Sequence, residues 1–185
     1  MICIRGRGRD KDMEKITEGY EYADYYKAYV SLVPEGDIVQ VLTNQMQETV
    51  GIVSMLNDEQ LSYRYATGKW SIKEVIGHIT DTERIMSYRL LSIARGETTS
   101  LPGYDENAYV EEAGFDEIPV RDLLENFVAV RLATIQLIKS LSKKALERKG
   151  TANGHPVTTR ALMMIIAGHE IHHRHIIVER YLTKN

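Results

Sequence analysis

Cysteine, excess positive charge and long apolar runs are all scarce in this chain of 185 residues. The single cysteine, Cys3, excludes a disulfide framework and a metal site built from cysteines. Lys and Arg number 23 against 26 Asp and Glu, and the resulting net charge of −3 disfavours a nucleic-acid-binding protein, which usually carries a positive excess. No apolar run approaches the roughly 20 residues of a membrane-spanning helix. We therefore expect a protein that binds neither nucleic acid nor membrane.

The basic amino-terminal segment lacks the apolar stretch of a secretory signal. Residues 1–18 are therefore predicted to form a flexible leader, and either Met1 or Met13 is a possible start of translation. Residues 19–185 have the usual size of one domain. Because the chain has no signal, no pair of cysteines and no spanning segment, the cytoplasm is the predicted compartment.

Four segments show the 3–4 spacing of apolar residues that is typical of amphipathic helices. They begin after Gly36, at the capping box that opens with Ser71, at Pro119, and near Thr158, directly after the loop-like residues 153–156. Strand signals are nearly absent. These segments predict an all-α fold, namely a four-helix bundle of the up-and-down type.

One join between the predicted helices is too long for a simple turn. Residues 96–118 contain Pro102, Gly103 and Gly114 around a polar run. Loops longer than about 12–15 residues are usually functional or partly helical. We expect a short extra helix near Asp105–Ala113, and the alternative is a surface excursion without a role.

A run of tyrosines opens the predicted domain: Tyr20, Tyr22, Tyr25, Tyr26 and Tyr29. Tyrosine suits half-buried positions, because its ring is apolar and its hydroxyl is polar. The favoured interpretation is an amphipathic segment that wraps the bundle. A stacking surface for a ligand or a partner is the alternative.

Four of the six histidines lie within seven residues, at His169, His172, His173 and His175. Because successive helical residues turn by about 100°, His169 and His173 lie one turn apart on the apolar stripe of the fourth helix. Such an i, i+4 pair can offer two imidazoles to one metal ion. His172 flanks the pair, and His175 points away toward solvent. A buried polar ring costs roughly 1–3 kcal/mol unless it is satisfied, so we expect a metal, with hydrogen-bonded core histidines as the alternative.

His78 is the candidate third ligand, at the edge of the apolar stripe of the second helix. Facing helices of a bundle can bring such a residue opposite an i, i+4 pair. Three neutral imidazoles leave at least one coordination position open, as in catalytic rather than structural sites. Glu170, the nearest carboxylate by helical position, is the candidate catalytic base. Asp81 is the alternative carboxylate, in a position to orient His78.

Residues 169–173 also match the H-E-x-x-H motif of zinc proteases. That scheme needs a third ligand downstream, but only twelve residues follow His173 and the extended G-x-x-H continuation is missing. Glu179 is the only acidic candidate, on the same helix. A metalloprotease is therefore disfavoured.

Several stretches resemble the DinB/YfiT-like superfamily. Residues 65–84 look like the second-helix signature of that family, and Gly168–Arg174 is similar to its H-x-x-x-H signature. Residues 101–105 and 25–37 are also similar, so the resemblance covers roughly residues 20–183.

The resemblance implies a four-helix bundle, a homodimer, and a divalent-metal site on His78, His169 and His173. The identity of the metal stays open among Zn, Ni, Mn and Fe. The family contains proteins described as metal-dependent hydrolases, and relatives that act as transferases or isomerases with low-molecular-weight thiols.

A three-histidine site suits more than one reaction. It can activate water for hydrolysis, and it can bind and ionise an incoming thiol. The leading prediction is a metal-dependent hydrolase of a small-molecule substrate. The alternatives are an S-transferase that uses a low-molecular-weight thiol such as bacillithiol, and a non-catalytic, metal-stabilised stress or interaction protein.

Overall fold

The computed structural model describes residues 21–183, so the predicted leader and Tyr20 lie outside the described residues. The described part of the chain contains eight α-helices, one β-hairpin and two short 3-10 helices, Asp24–Tyr26 and Phe115–Glu117. The elements are α1 (Lys27–Val30), α2 (Ile38–Val53), α3 (Asp58–Ser62), α4 (Ile72–Arg95), α5 (Glu106–Ala113), α6 (Val120–Ser140), α7 (Lys143–Leu146), β1 (Lys149–Ala152), β2 (His155–Thr158) and α8 (Thr159–Ile176). The last helix continues as wider π-helical turns over Ile177–Leu182.

The four long helices α2, α4, α6 and α8 are the four that the sequence predicts. Capping side chains set where they begin: Asp37 accepts from two backbone N–H groups of α2, and Ser71 forms the predicted capping box of α4 with Glu74. Gly96 ends α4 in the left-handed conformation, with φ of 94°. The prediction of an all-α four-helix bundle is confirmed.

The directions of the helices differ from the alternation of an up-and-down bundle. Helices α4 and α6 run parallel, since Ser71 at the start of α4 donates to Asp116 just before α6, and Ser87 bonds to Thr134 further along both helices. Helix α8 runs antiparallel to α4. This direction is seen from Tyr181, beyond the end of α8, which donates to the carbonyl oxygen of Trp70, just before the start of α4. The reason is the long join at 96–118, which returns the chain along the bundle instead of turning back at once.

The crossover at residues 96–118 is held at both ends. Leu101 exchanges backbone hydrogen bonds of 2.9 Å with Thr151 and Asn153 of the hairpin segment. Near the other end, Phe115 packs closely against α4 at Gly77. A Cβ placed on Gly77 would lie only 2.4 Å from the ring of Phe115. Between these anchors lies α5, capped by Asp105, so the predicted short helix near Asp105–Ala113 is confirmed.

The antiparallel hairpin of β1 and β2 is an element that the sequence analysis does not predict. Asn153 and Gly154 both have positive φ, 52° and 75°, as a two-residue type I′ turn requires. Each strand has only four residues, and one contains Pro156. Residues 153–156, predicted as a loop, are therefore a turn followed by the start of a strand.

Two apolar clusters fill the bundle, with a polar layer between them. One cluster lies around the start of α2 and the start of α8, and the other around the end of α2 and the start of α4. The buried polar side chains between them come from all four long helices: Gln45, Thr49, Glu83, Arg131, His169 and Glu170. The candidate site lies at this layer.

The tyrosine segment wraps the bundle, as predicted. Tyr22 is buried in the first apolar cluster, Tyr26 packs against that cluster, and Tyr25 is exposed. Helix α1 lies directly on α8, and a Cβ on Gly168 would be 2.1 Å from the carbonyl oxygen of Tyr29. No helix within residues 21–183 has the length and apolar character that crossing a membrane requires.

We expect Gly168→Ala to lower the free energy of unfolding by about 1–3 kcal/mol, because the added methyl group meets backbone atoms of Tyr29 that cannot rotate away. Gly51→Ala is the matched control, since a Cβ at that exposed position of α2 meets nothing within 4 Å. The control should stabilise the protein by about 0.5–1 kcal/mol through helix propensity. Urea unfolding followed by circular dichroism measures both, and equal stabilisation by the two substitutions would contradict the close approach of α1 to α8.

Candidate metal centre

Three imidazoles come together where α4 faces α8. The Nε2 atom of His169 lies 3.1 Å from Nε2 of His78 and 3.2 Å from Nε2 of His173. The ligand atoms of all three lie within 4.8 Å of one another. For nitrogens bound at about 2.0–2.1 Å in a tetrahedral site, the separation between ligands is about 3.3 Å. The spacing therefore fits three ligands of a single ion.

The helix arrangement accounts for this convergence. His169 and His173 occupy the same face of α8, one turn apart. Because α4 and α8 run antiparallel, His78, near the start of α4, lies opposite the end of α8. The structure thus brings together the three histidines that the sequence analysis singles out.

Burial keeps the three imidazoles neutral. His78 is 3% exposed and His169 is 8% exposed. Desolvation lowers the pKa of His78 to about 4. Burial also lowers the pKa values of His169 and His173 well below the ordinary range, and the neighbouring imidazoles lower them further. At neutral pH each ring therefore has a free lone pair, which is the form that binds metal.

Aromatic side chains surround the cluster. The ring of Trp70 lies 4.7 Å from that of His78, and the ring of Tyr29 lies 5.4 Å from that of His169. Tyr29 also contacts the ring of half-buried His172, whereas His175 is exposed, as predicted. Trp70 was not singled out from the sequence, although it directly precedes the α4 capping box.

Glu170 points away from the cluster, into a buried ionic network. Its Oε1 accepts from Thr49 at 2.6 Å, and its Oε2 lies 2.6 Å from Nη1 of Arg131. Arg131 also donates to both carboxylate oxygens of Glu83, with its Nη2 at 2.7 Å from Oε2. Both Arg131 and Glu170 are fully buried. The carboxylate that the sequence nominates as a base is therefore engaged in holding α2, α4, α6 and α8 together.

The other two acidic candidates, Asp81 and Glu179, have different surroundings from each other. Asp81 accepts from Arg84 at 2.7 Å, one turn along α4, rather than from His78. Glu179 is exposed. The zinc-protease scheme places a glutamate beside the ion, and the engagement of Glu170 with Arg131 does not fit that scheme.

Acidification should destabilise the metal-free protein between about pH 6.5 and pH 4. The unfolded chain takes up a proton on His78 near pH 6.5, whereas the folded protein does so only near pH 4. The free energy of unfolding is thus intact above pH 6.5 and falls as the pH decreases toward 4, by about 3 kcal/mol from His78 alone. Urea unfolding with a chelator present should show a smaller loss in His78→Asn than in the wild type. An equal loss in both would contradict a buried, neutral His78.

Glu170→Gln should destabilise the protein without removing the metal. The substitution takes one carboxylate from buried Arg131, at a cost of about 3 kcal/mol, and it leaves the three imidazoles in place. Glu179→Gln, at an exposed position beyond the end of α8, is the control and should change neither property. Urea unfolding and elemental analysis measure the two effects. Loss of metal with unchanged stability would instead place Glu170 at the metal centre.

The fold is similar to those of two solved structures. YfiT of Bacillus subtilis aligns with a TM-score of 0.68 at 18% identity, over 90% of both chains, and is described as a candidate metal-dependent hydrolase with an unusual four-helix bundle topology. A DinB-like protein of Bacillus cereus aligns with a TM-score of 0.58 at 19% identity, over 77% of this chain and 87% of that chain. At these identities the similarity establishes the fold.

Relatives in sequence carry names of the same kind. OB0413 of Oceanobacillus iheyensis is 26% identical over 137 residues, 73% of this chain and 76% of that protein. YfiT is 25% identical over 100 residues, 54% of this chain and 56% of that protein. Both are named as candidate metal-dependent hydrolases. The sequence pattern of the DinB superfamily matches residues 42–177, most of the chain and all three clustered histidines. The resemblance seen in the second and fourth helices is thereby confirmed, and this chain belongs to the DinB superfamily.

Proposed function

We propose that this chain is a metal-dependent hydrolase of a small-molecule substrate, with His78, His169 and His173 as the ligands of a divalent ion. The observation that carries the proposal is the convergence of three imidazole nitrogens at 3.1 and 3.2 Å, on two buried histidines and one half-buried histidine. The names of the relatives support the same assignment.

The composition of the donor set favours a catalytic ion over a structural one. Structural zinc sites use four protein ligands, whereas three ligands leave a coordination position for a water or a substrate. A divalent ion bound in this way lowers the pKa of a water toward about 7, which supplies the nucleophile for hydrolysis at neutral pH. A set of imidazoles alone suits Zn, Ni and Fe better than Mn, which prefers oxygen ligands.

Two aromatic residues, Trp70 and Tyr29, flank the imidazoles. Trp70 packs against His78, and Tyr29 packs against His169, so that bulk water is kept from both rings. Burial raises the pKa of Tyr29, and nearby Glu106 raises it further. Tyr29 therefore keeps its proton and offers a neutral hydroxyl group beside the site.

The homodimer and the cytoplasmic location are predictions from the sequence, and the sequence leaves the metal open among Zn, Ni, Mn and Fe. A hydrolase of this kind needs neither nucleic acid nor membrane as a partner.

Protein purified without a metal-affinity tag should contain about one divalent ion per chain and hydrolyse generic esters or amides. The triple substitution of His78, His169 and His173 by Ala should abolish both, because it removes every ligand. His175→Ala, an exposed histidine on the same helix, is the matched control and should retain the ion. Elemental analysis and a chromogenic ester assay are the measurements.

Three outcomes of these assays would overturn the proposal in different ways. Retention of the ion by the triple variant would show that the ligands lie elsewhere. Turnover of electrophiles only in the presence of a low-molecular-weight thiol would identify an S-transferase. Bound metal without turnover in either assay would favour a non-catalytic, metal-stabilised protein.

A further inference from the structure

Arg89 is a buried cation without an anionic partner among residues 21–183. It lies on α4 and is 3% exposed. Its Nη2 donates to the carbonyl oxygen of Pro102 at 2.7 Å, and its Nη1 lies 3.5 Å from the sulfur of Met86. Neither contact supplies a negative charge, and buried charges in proteins are normally paired because desolvation costs several kcal/mol.

Arg131 shows what a structural buried arginine requires in this same protein. Its guanidinium is compensated by the carboxylates of Glu83 and Glu170. The phenols near Arg89 do not play that part, since burial raises the pKa values of Tyr26 and Tyr104 and both stay neutral. The positive charge of Arg89 therefore has no compensating negative charge among the described residues.

Arg89 lines a cavity of about 300 Å³. Its wall combines aliphatic and aromatic side chains, among them Ile85, Tyr88, Leu101, Tyr104 and Tyr109. Arg84 also lines the cavity, but its guanidinium is paired with the carboxylate of Asp81 at 2.7 Å, whereas Arg89 has no carboxylate partner among the described residues. The volume is at the small end of the range for ligand sites, and a mainly apolar wall with few charged groups is their usual composition. The cavity suits a small molecule with an apolar body and one anionic group.

The hydrogen bond from Arg89 to the crossover does not by itself explain a charged residue here. Leu101 is already held by backbone hydrogen bonds to Thr151 and Asn153. The hydroxyl of Tyr104 is held at 2.7 Å by Thr82. A neutral side chain could donate the same hydrogen bond to the carbonyl oxygen of Pro102. The positive charge of Arg89 is therefore better explained by an anionic ligand.

The cavity lies along the face of α4 that also carries His78. His78, Thr82 and Arg89 lie within about 40° of one another around the helix, with about 16 Å of rise from His78 to Arg89. A long helical side chain leans toward the amino end of its helix, which here is the end that carries His78. The histidines themselves do not line the cavity. A bound molecule would thus have its anionic group at Arg89 and its remainder directed along α4.

We propose that Arg89 is the anion-binding residue of a ligand subsite for small carboxylates with an apolar body. The free edge of a guanidinium matches the two oxygens of a carboxylate. The further step, that such a carboxylate is the substrate, rests on the proposed hydrolase function. Binding of a carboxylate at Arg89 does not depend on that function.

The test measures binding to the metal-free, full-length protein, so that it is independent of turnover. Phenylacetate and hexanoate are titrated by NMR, each against its neutral amide. We expect the wild type to bind at least one of these carboxylates about tenfold more tightly than its amide. Arg89→Gln keeps a donor for Pro102 but removes the charge, and it should bind carboxylate and amide equally. Arg95→Met, at an exposed position at the end of α4, is the control and should retain the preference.

Binding of the amide by Arg89→Gln reports that the cavity is still formed. Arg89→Lys, which keeps the charge, should retain part of the preference, and it serves if the glutamine variant does not fold. Equal binding of carboxylate and amide by the wild type, or no binding of either, would overturn the subsite while the proposed hydrolase stands. Tighter binding of phenyl phosphate than of both carboxylates would overturn the assignment to carboxylates. Carboxylate binding by a metal-loaded protein that hydrolyses neither esters nor amides would overturn the proposed function instead.

Discussion

The ion network of Glu83, Arg131 and Glu170 is the interaction on which the rest of the structure depends. It joins α4, α6 and α8, and Thr49 adds a hydrogen bond from α2. Apolar side chains tolerate small shifts between helices, but a fully buried ion pair does not, because any unpaired charge would cost several kcal/mol. This layer therefore determines how the helices are aligned along their axes. His78 and His169 lie close to it in the chain, so their alignment is determined at the same time.

Three consecutive residues of α8 show how closely structure and site are combined. Gly168 admits the backbone of Tyr29, His169 faces His78, and Glu170 faces Arg131. Because successive helical positions turn by about 100°, the three side-chain positions face three different directions around the helix. Glu170 lies about 100° around the helix from His169 and thus contacts Arg131 and Thr49 in the bundle interior. Its proximity in the chain, which suggested a catalytic base, has a structural explanation.

Much of this arrangement could be predicted from the sequence, because it depends on local spacing. The i, i+4 histidines, the capping box at Ser71 and the short helix after Asp105 are all local patterns. The parallel course of α4 and α6 is not local, since a long join can return the chain to either end of a bundle. The sequence contains one indication of the network around Arg131, because this arginine lies on the apolar face of its helix. Its partners depend on how the helices are aligned, and periodicity carries no information on that.

Charge compensation distinguishes the buried groups that hold the fold together from those proposed to bind a ligand. Arg131 has two carboxylates within the bundle, whereas Arg89 has none among the described residues. The three imidazoles are neutral, so a divalent ion on them would keep its full charge, with no carboxylate among its ligands. Both features lie along one face of α4, in a chain whose net charge is −3. A local excess of positive charge in an overall acidic protein favours anionic ligands at this face, because the field near the ligand outweighs the distant, screened surface charges.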